Sequence, residues 1–139
     1  MMKSMAFRQV RGIVIAAHTD RDPTDEEYVA YCEFCLVLPK HVDRYLVVSE
    51  GGAPTPKQRA TTNETLKKRG QPQSTVAVVT PKTIVRGIVT ALSWFNPNIK
   101  SFAPTELAAA MRYLKLSPTE AGEVGVELRK LQAELKRSV

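Results

Sequence analysis

The chain has 139 residues, of which 43% are hydrophobic and 24% are charged, and this composition is ordinary for one globular domain with its own core. No apolar stretch approaches the roughly 18 residues that a membrane span requires, and the first eight residues lack the apolar centre of a signal peptide. The sequence therefore predicts a cytoplasmic protein that does not enter a membrane.

The net charge of +6 raises the question of nucleic-acid binding, and its distribution argues against it. Residues 55–70 carry a local surplus of positive charge, whereas residues 23–44 are acidic overall. Apart from residues 67–69 there is no dense basic run, and aromatic side chains do not alternate with basic ones as in a stacking platform. A solvated helix face is the preferred interpretation of these charges.

Strand and helix patterns alternate along the chain. Residues 7–17 predict a first, central strand, and Thr24 followed by Glu27 predicts a capping box that opens a helix ending before Pro39. Residues 45–49 and 75–79 predict two further strands, each followed by a threonine and a proline that predict a helix start. A short fourth strand over 99–102 and helices over 106–114 and from 118 to near the end complete the pattern.

This order predicts an α/β fold with a sheet of about four mainly parallel strands and right-handed crossovers. Residues 1–116 are expected to form the α/β domain, and residues 117–139 an added C-terminal amphipathic helix that packs on the domain or binds a partner.

The arrangement of elements, and especially the second half of the chain, resembles the STAS-like, or SpoIIAA-like, family of proteins related to anti-sigma-factor antagonists. The resemblance is carried by Val76-Ala-Val-Val-Thr80, Arg86-Gly-Ile-Val-Thr-Ala-Leu-Ser-Trp-Phe95, Ile99-Lys-Ser-Phe102 and Glu106-Leu-Ala-Ala-Ala-Met-Arg-Tyr-Leu114, and covers roughly residues 7–115. It implies a small regulatory or interaction module of the bacterial cytoplasm, not an enzyme.

The antagonists proper have a strand that ends in Asp and a following helix start whose serine is phosphorylated by a partner kinase. Here the strand ends in Ser49-Glu50, and Ala53-Pro54-Thr55-Pro56 stands in place of the Asp-Ser-Ser-Gly type of motif. Thr55 is the nearest hydroxyl to that serine. A phosphate on Thr55, or a free anion, would lie at a helix N-terminus beside Lys57 and Arg59.

The turn from Ser49 through Gly51 and Gly52 to Thr55 is accordingly a candidate phosphorylation or anion site. The alternative is that Thr55 only caps a helix and the glycines only turn the chain. Two glycines without a downstream Gly-Lys-Ser/Thr do not make a nucleotide loop.

No residues are assigned to catalysis, to a metal or to a cofactor. Cys32 and Cys35 fall mid-helix and are expected to be small buried hydrophobes. His18 is the one histidine that could be tested as an acid or base. We find no hydrolase, zinc-protease or dinucleotide motif.

Surplus apolar surface is the stronger indication of function. In the helix predicted over 82–95, Val85, Val89 and Trp94 extend the apolar surface beyond one stripe, so that one sheet face cannot cover all of it. In the last helix, leucine and valine side chains recur at spacings of three and four: Val124, Leu128, Leu131 and Leu135. This seam could dock on its own domain, pair with a second copy or engage another protein. The sequence thus predicts a protein partner, self-association or both.

Overall fold

The computed structural model describes residues 3–92 and 96–137 of the chain. Its five strands and five α-helices, numbered in chain order, are β1 (Met5–Val10), β2 (Ile13–His18), α1 (Asp25–Leu36), β3 (Arg44–Ser49), α2 (Pro56–Lys68), β4 (Thr75–Val79), α3 (Thr83–Leu92), β5 (Ile99–Phe102), α4 (Leu107–Tyr113) and α5 (Pro118–Arg137). A single 3-10 turn over Pro104–Glu106 leads into α4. Within the described residues, no helix is long and apolar enough to cross a membrane.

The segment predicted as one first strand is a hairpin of two strands. β1 and β2 pair antiparallel with Val10 opposite Ile13, so that the turn between them holds only Arg11 and Gly12. Arg11 takes a left-handed backbone conformation with φ of 52°. The prediction of a single strand was wrong because β2 is apolar on both sides, which hides the change of side-chain alternation at the turn, and because Arg-Gly is a weaker turn signal than Asn-Gly.

The five strands form one sheet in the order β1-β2-β3-β4-β5, and β2 to β5 run parallel. The α/β class and the mainly parallel sheet are therefore confirmed, with one strand more than predicted. Each parallel strand lies next to its predecessor, so the crossover helices α1 and α2 follow one another across the same face of the sheet. All carboxyl ends of the parallel strands meet at one edge.

Alternate side chains of the strands build two separate cores. Ile13, Ile15 and Leu46 belong to the cluster that α4 and α5 cover. Val14, Ala16 and Tyr45 belong to the cluster under α1 and α2. Because both faces are covered, the central strands are apolar on both sides.

Helix α5 lies along β1 and β2 and completes the first of these cores. Its seam residues are between 0% and 4% exposed: Val124, Leu128, Leu131 and Leu135. The seam therefore docks on its own chain, which is one of the three alternatives that the sequence left open. In this structure its side chains are not available to a second protein.

Ion pairs fix the outer flank of α5 to the strands. Arg11 contacts Glu123 at 2.8 Å, Arg44 contacts Glu120 at 3.4 Å, and Arg8 contacts Glu127. Ion pairs near the surface contribute about 0–1 kcal/mol each. These pairs therefore orient α5, and its buried seam supplies most of the stability.

Candidate functional site at the carboxyl edge of the sheet

The candidate site is the turn from Ser49 to Thr55, which leaves β3 and opens α2. It lies beside the end of β2, because Ser49 is the register partner of His18. The amide of Glu50 donates to the carbonyl of His18 at 3.1 Å, and the amide of Gly52 donates to the carbonyl of Thr19 at 2.9 Å. The two strand ends thus continue pairing beyond the sheet and give the turn a fixed position.

Ser49 shapes this turn from within. Its side chain is buried at 4% exposure, and its Oγ accepts a hydrogen bond from the amide of Gly51 at 3.0 Å and donates to the carbonyl of Gly52. A hydroxyl used in this way is not presented to a kinase or a ligand. The hydroxyl of Ser49 therefore stabilises the turn from within.

The two glycines are required for different reasons. Gly51 has a φ of 141°, which side-chain-bearing residues rarely adopt. A Cβ on Gly52 would lie 2.0 Å from the carbonyl oxygen of Arg21, which is backbone and cannot rotate away. Because Gly52 has no side chain, its turn can lie directly against the backbone of the β2–α1 loop. The glycine is explained by this close packing and not by a phosphate.

Thr55 caps α2. Its Oγ1 accepts from the amide of Gln58 at 3.2 Å, and the amide of Thr55 donates to Oε1 of Gln58 at 3.0 Å, which completes a capping box. The side chain of Thr55 is half-buried. The predicted N-cap is thus confirmed, whereas a phosphate or anion at Thr55 stays a prediction.

Side chains of the β2–α1 loop brace the same turn. The amide of Ala53 donates to Oδ1 of Asp22 at 3.0 Å. The side-chain Nε2 of Gln58 donates to the carbonyl of Pro23 and to Oδ1 of Asp25, both at 3.0 Å. Gln58 is buried at 4% exposure, so it joins the starts of α1 and α2 through satisfied hydrogen bonds.

Cationic side chains approach the turn from α2 and from the start of α3. Nη1 of Arg59 donates to the carbonyl of Pro54 at 2.8 Å. The aliphatic chain of Lys82 passes over Gly51, with its Cε 2.7 Å from where a Cβ of that residue would be. The turn is therefore flanked by positive charge on two sides.

Thr80 differs from its predicted role as a second helix cap. Helix α3 begins at Thr83, and Oγ1 of Thr80 accepts from the amide of Lys82 at 3.3 Å. This side chain is fully buried. It turns the chain at the end of β4 and positions Lys82 over Gly51.

His18 is buried at the end of β2. Desolvation lowers the pKa of His18 to about 4, although the nearby carboxylates of Glu27 and Asp22 act in the opposite direction. Its Nδ1 has no hydrogen-bond partner among the described residues. The imidazole of His18 is therefore neutral at neutral pH.

Glu27 fastens the start of β1 to α1. Partial burial favours its neutral form, but hydrogen bonds from Ser4, Thr24 and Met5 outweigh this and lower the pKa of Glu27 to about 2. The amide of Ser4 donates to Oε2 at 2.8 Å, and the amide of Thr24 donates to Oε1 at 3.1 Å. Glu27, one of the acidic residues at the start of α1, therefore has a structural role.

The two cysteines lie in the core under α1, as expected. Cys32 is 7% and Cys35 4% exposed, and burial raises the pKa of both thiols. In the part of the chain that the structure describes, no three potential metal ligands among His, Cys, Asp and Glu come together.

The surplus apolar surface of α3 is smaller than the sequence indicates. Val85 and Val89 are 8% and 5% exposed, and α3 packs on β5. Trp94 lies outside the described residues. The exposed apolar side chain of α3 is instead Ile84, at 78% exposure, two residues after Lys82.

Sequence reasoning missed three contributors to this site: Gln58, Lys82 and the carbonyl of Arg21. Gln58 could have been found, since a glutamine three residues after Thr55 is the second half of a capping box. Lys82 and Arg21 are distant from the turn in sequence and come close to it only in the folded chain. No local sequence pattern predicts these contacts.

A family model described as SpoIIAA-like matches residues 14–115. The match spans most of the chain, and the chain belongs to this STAS-like family, whose members are in general non-enzymatic regulatory domains that interact with protein partners. Neither the curated proteins nor the solved structures contain a match to the chain. The matched segment includes the whole candidate turn, while β1 and α5 lie outside it.

Proposed function

We propose that this chain is a non-enzymatic regulatory or scaffold module that acts in the bacterial cytoplasm by docking a protein partner at the carboxyl edge of its sheet. The observation that carries the proposal is the preorganised turn at residues 49–55. Hydrogen bonds from the β2–α1 loop, the Thr55–Gln58 capping box and the buried Ser49 hydroxyl all hold its shape. A surface that is rigid before binding loses little entropy when a partner docks.

The start of α3 adds a contact residue to this edge. Ile84 is 78% exposed. It follows Lys82 by two residues, and the side chain of Lys82 passes over Gly51 in the candidate turn. An exposed isoleucine beside positive charge is suited to a partner surface with an apolar pocket and an acidic rim. Family membership supports the same conclusion, because the family in general engages proteins.

The experiment is a comparison of partner recovery by matched variants. Ile84→Asp is expected to reduce recovery of the specific partner about tenfold or more, since a buried apolar anchor typically contributes about 2 kcal/mol or more. Val126→Asp is the control, because Val126 is a 44% exposed side chain on α5, which covers the other core. Equal recovery with Ile84→Asp and Val126→Asp would contradict the proposal.

A second candidate function is anion or phosphate binding at Thr55. The observation that favours it is the bond from Arg59 to the carbonyl of Pro54, which holds a guanidinium beside Thr55 at the N-terminus of α2. Phosphorylation of Thr55 would then place the phosphate within reach of a positive charge.

Inorganic phosphate provides the test of this candidate. If the turn binds anions, phosphate should raise the melting temperature of the wild-type chain, and Thr55→Val and Arg59→Gln should each remove most of the rise. Lys68→Gln, an exposed change at the far end of α2, is the control and should retain it. A phosphate effect of the same size in all four proteins would mean only general ionic stabilisation and would count against the site.

A further inference from the structure

We propose that a free α-amino acid with an apolar side chain binds in a cavity between the C-terminal end of α5 and the carboxyl ends of β2 and β3. We call this space the α5 cavity. Its volume is about 250 Å³, and the residues that line it include Thr19, Asp20, Arg21, Glu50, Gln132 and Lys136. It is separate from the docking residue Ile84 and from the anion candidate at Thr55, and its test requires no other protein.

The α5 cavity has two walls, which come from different parts of the chain. Residues 19–21 follow β2 and Glu50 follows β3, and together they form a loop wall. Gln132 and Lys136 lie one turn apart on α5 and form a helix wall. A ligand in the cavity would therefore contact three segments that are distant from one another in sequence.

Both walls are held in place by contacts within the fold. The amide of Glu50 donates to the carbonyl of His18 at 3.1 Å, and Nη2 of Arg21 donates to the carbonyl of Lys3 at 3.2 Å. On the other wall, Leu135 is 4% exposed and anchors the last turns of α5 in the core. A cavity whose walls are fixed before binding loses little entropy when a ligand enters.

The α5 cavity carries charges of both signs that the described part of the chain does not pair. Within residues 3–92 and 96–137, no ion pair or side-chain hydrogen bond engages Asp20, Glu50, Gln132 or Lys136. The carboxylates of the loop wall lie more than 4 Å from the ammonium of Lys136 on the helix wall. Opposite charges thus face a common space without meeting across it.

These charges select the class of ligand. Asp20 and Glu50 balance Arg21 and Lys136, so the cavity as a whole favours neither a simple anion nor a simple cation. A zwitterion satisfies both walls, with its ammonium on the carboxylates and its carboxylate on Lys136. In an α-amino acid both groups are attached to one carbon, so the molecule can bridge walls that lie too far apart to pair directly.

The size and lining of the α5 cavity narrow the class further. A water molecule occupies about 30 Å³ of liquid, so the cavity has room for about eight waters. This space suits an amino acid and is small for a nucleotide or a lipid. Leu135 adds an apolar part to the lining, against which an apolar side chain is removed from water. L-leucine is accordingly the probe.

The test is a titration of the full chain with L-leucine, read by the amide chemical shifts in NMR spectra. Saturable shifts are expected at residues 19–21, at Glu50 and at residues 132–136. Isocaproate, which lacks the amino group, and isoamylamine, which lacks the carboxylate, should each bind about tenfold more weakly, because each leaves one wall without its partner. A wild-type chain without saturable shifts at these residues, or equal binding of the three compounds, would overturn the proposal.

Two variants of the helix wall test the assignment of its residues. Lys136→Gln should raise the dissociation constant for L-leucine about tenfold, and Gln132→Trp should abolish binding because the larger ring occupies the cavity. Lys130→Gln is the matched control, since it makes the same change on α5 at a lysine that pairs with Glu127 and does not line the cavity. It should bind L-leucine as the wild type does. Equal affinities of folded Lys136→Gln and Lys130→Gln proteins, or normal binding by Gln132→Trp, would contradict the site.

Discussion

Replacing Leu131 by alanine is expected to lower the free energy of unfolding by about 2–5 kcal/mol, as for other large-to-small substitutions in a packed core. Leu131 is 1% exposed and lies in the core cluster that also contains Ile13 and Ile15. Its truncation would leave a cavity between α5 and the sheet. Urea unfolding monitored by circular dichroism measures the difference.

Val126→Ala is the control for this substitution. Val126 is on the same helix but is 44% exposed, so the loss should be no more than about 0.5 kcal/mol. If both variants lost equally little, α5 would not complete the core. Removal of residues 117–139 would then leave a stable domain, which the buried seam of α5 argues against.

The second large effect is expected for Arg69→Met, at about 3 kcal/mol or more. Arg69 is 3% exposed, and its guanidinium donates to the carbonyls of Cys35, Leu38, Pro39 and Val42. Methionine keeps much of the volume but removes the guanidinium donors from these carbonyl oxygens. The free energy of unfolding, measured with urea, gives the loss.

The physical basis of this expectation is the end of α1. Its last turn contains no basic residue, so the positive charge that complements its C-terminal carbonyls comes from Arg69 at the end of α2. Lys68→Met is the control, because Lys68 is the exposed neighbour, and it should change stability by less than about 0.5 kcal/mol. A loss of similar size in the two variants would show that the carbonyl contacts of Arg69 contribute little.

Local sequence patterns predict most of the secondary structure correctly because its determinants are local. Thr24 with Glu27, and Thr55 with a proline after it, satisfy the free amides at a helix start within four residues of chain. The parallel order follows from strands that alternate with helices. The hairpin was missed because β2 is apolar on both sides, so the pattern contains no break at Arg11 and Gly12.

Tertiary contacts decide what the sequence left open. Spacings of three and four show that Val124, Leu128, Leu131 and Leu135 share one side of a helix, but they carry no information about what covers it. The face of β1 and β2 that carries Ile13 and Ile15 does so here, with ion pairs from Arg8 and Arg11. Arg69 was predicted only as part of a basic run, because its acceptors are more than 25 residues away in the chain.

The candidate turn was predicted in position but not in its internal contacts. Its threonine cap and two glycines are visible in the sequence, whereas the burial of Ser49 depends on hydrogen bonds within a folded loop. The same holds for Gly52, whose lack of a side chain is explained only by the carbonyl of Arg21. A glycine pair in a sequence does not distinguish close packing from ligand binding.

We expect the proposed protein partner to dock at the carboxyl edge of the sheet. The most direct test is the equilibrium affinity of the partner recovered with the wild-type chain, measured by titration calorimetry with the wild-type, Ile84→Asp and Val126→Asp proteins. We expect a dissociation constant about tenfold or more higher for Ile84→Asp and an unchanged one for Val126→Asp. Equal affinities for all three folded proteins would contradict it.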